Sequence, residues 1–88
     1  MIERDARIIN SLGLHARPAA QIVRLAATFA AHIELEKDGL AVNAKSIMGV
    51  MMLAAESGST LNIRADGEDE NQAVTALAEL VASGFGET

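Results

Sequence analysis

The residues able to do chemistry cluster around one histidine. His15 stands in the run Gly13-Leu14-His15-Ala16-Arg17-Pro18-Ala19-Ala20, just ahead of a segment that reads as a helix start. Pro18 fits the first turn of that helix, where a missing N–H costs little and φ is already set. Helix starts carry unpaired N–H groups and the positive end of the macrodipole, so they hold anions. An imidazole there can take a phosphoryl group and have the arriving charge met by donors already in place. Arg17 adds a planar, permanently charged fork suited to phosphate oxygens. The pattern is a phosphate site with a nucleophile in it.

Ser46 is the second candidate. It precedes Ile47-Met48-Gly49-Val50-Met51-Met52, a short helical segment whose spacing allows it to run on to Ala55. As an N-cap its hydroxyl is worth ~1 kcal/mol. A helix this short cannot bury every apolar side chain, and exposed methionine suits adaptable partner surfaces. Ile47, Met48 and Met51 are therefore candidate docking residues, together with Arg24, which falls off the apolar face of the first helix.

Other polar residues suggest less. His32 has no second ligand-type residue at useful spacing, and Glu68-Asp69-Glu70 reads as a charge cluster favoured at a helix start. There is no Ser-His-Asp arrangement, no glycine-rich nucleotide loop and no carboxylate pair in a catalytic context. Neither a cofactor nor a metal is expected.

These residues need a scaffold, and 88 residues suffice for one domain spanning 1–88. Half the residues are hydrophobic, which suits a packed fold, but only Phe29 and Phe85 are aromatic, so the core must be aliphatic. Without cysteine there are no disulfides or thiolate zinc sites. The net charge of −5 and the lack of Trp and Tyr disfavour nucleic-acid binding. Arg4, Arg7, Arg17 and Arg24 nonetheless lie early in the chain and allow a basic patch beside His15. No apolar run approaches the ~20 residues of a membrane span, no signal peptide is visible, and the cytoplasm is the expected compartment.

Residues 2–8 read as a strand with Ala6 and Ile8 inward. Ala19, Ile22, Val23, Ala26 and Phe29 recur at helical spacing. Ile33 and Leu35 alternate with Glu34 and Glu36, and Asp38-Gly39 signals a type I′ hairpin turn into Leu40–Asn43. Leu61, Ile63 and Ala65 form a further strand. Asp69 with Gln72 resembles a capping box, opening a helix with Ala73, Leu77, Leu80 and Val81 inward and Gly84 as its stop. The order βαββαβα predicts an α+β fold, a four-stranded antiparallel sheet with helices on one face.

Two motifs carry a resemblance across the whole chain. Gly13-Leu14-His15-Ala16-Arg17-Pro18-Ala19 is similar to the active-site signature of HPr, the histidine-containing phosphocarrier family of the bacterial sugar phosphotransferase system. Val42-Asn43-Ala44-Lys45-Ser46-Ile47-Met48-Gly49-Val50-Met51 resembles its regulatory signature. The resemblance implies an open-faced β-sandwich with three helices on one side of the sheet. It implies that His15 takes phosphate on Nδ1 from enzyme I, itself charged by phosphoenolpyruvate, and passes it to IIA domains of sugar transporters. It makes Arg17 the phosphate-side arginine and Ser46 the target of an HPr kinase/phosphorylase in bacteria that have one. Such a chain is a relay substrate, not an enzyme in the turnover sense, and is expected to act as a monomer. The alternatives are the nitrogen-related NPr, with the same histidine and other partners, and a regulatory Crh-like module, which lacks the active histidine. An RNA-binding ferredoxin-like domain is disfavoured by charge and by the missing aromatics.

Overall fold

Alternating sequence becomes one antiparallel sheet. In the computed structural model, which describes residues 1–87, β1 (Ile2–Arg7) is followed by α1 (Ala16–Ala26), β2 (His32–Lys37), β3 (Leu40–Asn43), α2 (Ile47–Met52), β4 (Thr60–Asp66) and α3 (Glu70–Ala82). The strands lie in the order β1-β4-β2-β3, each neighbouring pair antiparallel. β4 thus sits centrally, with Ala6 opposite Leu61 on one side and Leu35 opposite Ile63 on the other. Because side chains alternate along a strand, this register sends Ala6, Ile33, Leu35, Leu61, Ile63 and Ala65 to one face, where all are buried. Asp38 and Gly39, both at positive φ, make the expected tight turn between β2 and β3.

The opposite face is polar. Arg64 Nη2 donates to Glu36 Oε1 at 2.9 Å, and Asn62 Nδ2 donates to Glu3 Oε1 and Asp5 Oδ1 at 3.1 and 2.9 Å. The helices cover only the apolar side. From α1 come Ala19, Ile22 and Ala26, from α2 Val50, and from α3 Ala73, Val74, Leu77, Ala78 and Val81. This is the open-faced α+β sandwich the sequence implied.

Three local expectations need correction. α1 ends at Ala26, so Phe29 packs on the core from the following loop although its spacing is helical. α2 stops at Met52 and does not reach Ala55: Ala54 takes φ +47, and the Ala55 carbonyl is held by the Leu14 amide at 2.8 Å. The capping box at α3 does not form. Asp69 instead accepts the Ala30 and Ala31 amides, each at 2.8 Å, tying the approach to β2 onto the start of α3. Glu70 reaches back in its place, with Oε1 accepting the Gly67 amide at 3.0 Å.

Beyond α3 the chain hooks back. Gly84, Phe85 and Gly86 all have positive φ, and the Phe85 ring is buried in the core while Gln21 Nε2 donates to its carbonyl at 3.2 Å. Glycine is the usual residue for ending a helix in this left-handed conformation. Phe85 is an unusual occupant, held there by its buried ring.

Candidate functional site

His15 is positioned by the loop that precedes it. Gly13 has φ +66, and a β-carbon there would lie 2.5 Å from the Ala55 carbonyl oxygen, so only glycine fits. Asn10 braces the same loop from inside: it is buried, its Nδ2 donates to the Gly13 carbonyl at 2.8 Å, and the Gly13 amide returns to the Asn10 carbonyl at 3.1 Å. This turn delivers His15 as the N-cap of α1, in extended conformation, with its side chain 35% exposed. The ring is reachable from solvent.

The donors expected at the helix start are present. The His15 amide bonds to the Gly13 carbonyl, the Ala19 amide bonds to the His15 carbonyl at 3.1 Å, and Pro18 has no N–H. The Ala16 and Arg17 amides are the open donors of this turn among the described residues. Arg17 is exposed and forms no ion pair among the described residues, so its guanidinium is uncommitted. The site can therefore meet an anion with two backbone N–H groups and a charged fork beside a nucleophilic ring.

Glu87 completes the site, and sequence reasoning missed it. Its carboxylate lies 2.8 and 3.0 Å from His15 Nε2, across 72 residues of chain. Asn10 Nδ2 donates to the same carboxylate at 3.0 Å. The hydrogen bond from His15 holds the Glu87 carboxyl below the usual carboxylate range; the bond from Asn10 and the charge of Arg17 act in the same direction, against partial desolvation. The one sequence signal was Gly84-Phe85-Gly86, an aromatic between two glycines just past a helix, which can turn a tail inward.

Ser46 caps α2 as expected, its Oγ accepting the Gly49 amide at 3.1 Å. α2 packs against α1, so the two candidate modification sites begin neighbouring helices. Ile47, Met48 and Met51 are exposed, Met48 most of all at 75%, and Met52 is exposed with them. Leu12, in the loop before His15, is a further exposed apolar residue. Arg24 is exposed in the last turn of α1. No group of three or more residues suited to hold a metal occurs among the described residues, and no helix among them is long and apolar enough to cross a membrane.

Known proteins are similar to this chain over most of its length. Residues 2–83 match the family model described as PTS HPr component phosphorylation site. The phosphocarrier protein HPr of Cupriavidus necator is 52% identical over 87 residues, covering 99% of this chain and 98% of its own length. The HPr-like protein Crh of Halalkalibacterium halodurans is 47% identical over 81 residues, covering 92% of this chain and 96% of its own. A crystal structure of HPr-C-His from Thermoanaerobacter tengcongensis superposes with a TM-score of 0.95 at 48% identity, covering 100% of this chain and 99% of the other.

Proposed function

The chain belongs to the HPr family of the phosphotransferase system, and on that premise we propose that it carries a phosphoryl group on His15. The group arrives from phosphorylated enzyme I and leaves for a IIA domain. The observation that carries this reading is a solvent-reachable imidazole at the N-cap of α1, beside two backbone amides and an arginine that have no partner among the described residues. A carrier must release what it accepts. Two amides and one guanidinium neutralise a phosphoryl group only in part, which leaves the group transferable, and exposure lets each partner reach it. In-line transfer between two rings is chiefly positioning and charge stabilisation.

The exposed Ile47, Met48 and Met51, with Arg24, are the surface on which partners dock, and the protein acts as a cytoplasmic monomer meeting each partner in turn. Phosphorylation of Ser46 weakens that docking through added charge next to Ile47 and Met48. Support for this second role is the Ser46 cap itself, which places the hydroxyl at the edge of the apolar patch. A purely regulatory Crh-like role is disfavoured by the presence of His15.

The decisive experiment is incubation with enzyme I and phosphoenolpyruvate labelled in the phosphoryl group. Label that is lost in acid, survives base and is absent from His15→Ala supports the reading. Label retained by His15→Ala refutes the assignment. Repeating the transfer with the enzyme I and IIA of the nitrogen-related system separates the sugar relay from its paralogue.

A further inference from the structure

We infer that Glu87, anchored by the buried Asn10, is a positioning residue that holds the His15 ring with its proton on Nε2 and so reserves the Nδ1 lone pair for phosphorus. The inference rests on His15 being the phosphoryl acceptor and adds what selects the reacting nitrogen. An ionised carboxylate can only accept hydrogen bonds, so a ring nitrogen 2.8 Å from Glu87 Oε2 must be the donor. A neutral imidazole has one N–H, and with it fixed at Nε2 the other nitrogen is an unprotonated nucleophile.

Asn10 explains why the carboxylate stays put. Both neighbours of its amide, the Gly13 carbonyl and Glu87 Oε1, are acceptors, so Nδ2 must face them. This orientation leaves Asn10 Oδ1 buried with no partner among the described residues. An unpaired buried oxygen is costly, and here that cost accompanies two N–H groups aimed at the loop before His15 and at the carboxylate beyond it. The buried Phe85 fixes the tail from the other side. A base oriented by a third group is the logic of hydrolytic triads, where a carboxylate sets the tautomer of a histidine.

The transfer step balances without another reactant. The Nδ1 lone pair forms the new N–P bond as the P–N bond to the donor breaks, and that electron pair stays on the donor nitrogen. The Nε2 proton does not move. The ring becomes cationic on attack, and Glu87 lies against that new charge. The expected loss on removing Glu87 is about tenfold in rate, far below the roughly 10⁴-fold loss in hydrolytic triads, because this ring has no proton to relay.

Phosphoramidate, a small phosphoryl donor, tests the ring apart from any partner. Glu87→Ala should react about tenfold more slowly and should give a mixture of Nδ1- and Nε2-phosphohistidine where the parent gives the Nδ1 isomer. Glu87→Gln, whose amide oxygen can still accept from Nε2–H, should restore the isomer preference and part of the rate. ¹⁵N shifts of the His15 ring in the free protein should report Nε2–H in the parent and averaging between tautomers in Glu87→Ala. Unchanged isomer, rate and ring shifts in Glu87→Ala would overturn the inference. Failure of the parent to take label from enzyme I would overturn the carrier reading instead, and leaves the phosphoramidate result to decide on Glu87.

Discussion

The carbonyl oxygen of Ala55 occupies the space that a side chain on Gly13 would need. It lies 2.5 Å from an ideal β-carbon at Gly13 and accepts the Leu14 amide at 2.8 Å, joining the loop before α1 to the segment after α2. Gly13→Ala therefore meets both a backbone clash and a positive φ. The variant should lose about 2 kcal/mol or more, a fall of roughly 10 °C in Tm for a domain of this size. Calorimetry gives the first number. Phosphorylation by enzyme I should also fall in the folded variant, since the displaced loop carries His15.

Arg17 separates charge from stability. Its side chain is exposed and uncommitted among the described residues, so Arg17→Ala should leave the thermal midpoint unchanged while slowing phosphoryl transfer by about ten- to a hundredfold. Arg17→Lys should recover charge but not the planar fork, and so only part of the rate. Rapid-quench transfer from enzyme I measures both. Equal rates for parent and Arg17→Ala would remove Arg17 from the site.

Ser46 can be divided by substitution. Ser46→Ala loses the bond from the Gly49 amide and should cost ~1 kcal/mol. Ser46→Asp keeps a good N-cap and adds one negative charge beside Ile47 and Met48. Titration calorimetry against enzyme I should then show weaker binding for Ser46→Asp, with the difference shrinking as salt rises. Affinity equal to the parent at every salt concentration would rule out a charge-based role.

Acid should destabilise the fold through three carboxylates. Asp69 is held below its ordinary pKa chiefly by the Ala30 amide, Glu70 by the Gly67 amide and Glu87 by the His15 ring. Each folded value lies below its unfolded one, so their stabilisation is complete above the unfolded values near ~4 and is lost as pH falls through the depressed ones. Urea melts should be flat from pH 7 to about 5 and decline below about 4. Asp69→Asn should lower the urea midpoint at neutral pH and make the acid decline shallower. Far-ultraviolet circular dichroism is the suitable probe, because the chain has neither Trp nor Tyr.

Local patterns in this chain were readable where one element decides its own fate. Ile33 and Leu35 alternate because a half-buried strand demands it, Asp38-Gly39 turns because both residues tolerate positive φ, and Ser46 caps because its hydroxyl needs only the amide three residues on. Asp69 escaped this logic. Its sequence context favours a local cap, but two amides of a distant loop compete for the carboxylate and win. Glu87 was beyond reach for the same reason: its partners, Asn10 and His15, are brought to it only by the complete sheet and the buried Phe85. The histidine is legible in its motif, whereas the carboxylate bonded to its ring lies 72 residues further along the chain.

That separation has a consequence for biosynthesis. The ribosome releases the histidine motif well before the Glu87 carboxylate, since 72 positions divide them. A nascent polypeptide still threaded through the exit tunnel displays the recognisable signature without the assembled constellation around its imidazole. The contact between the ring and the carboxylate therefore forms only after translation has passed Glu87 and the sheet has assembled.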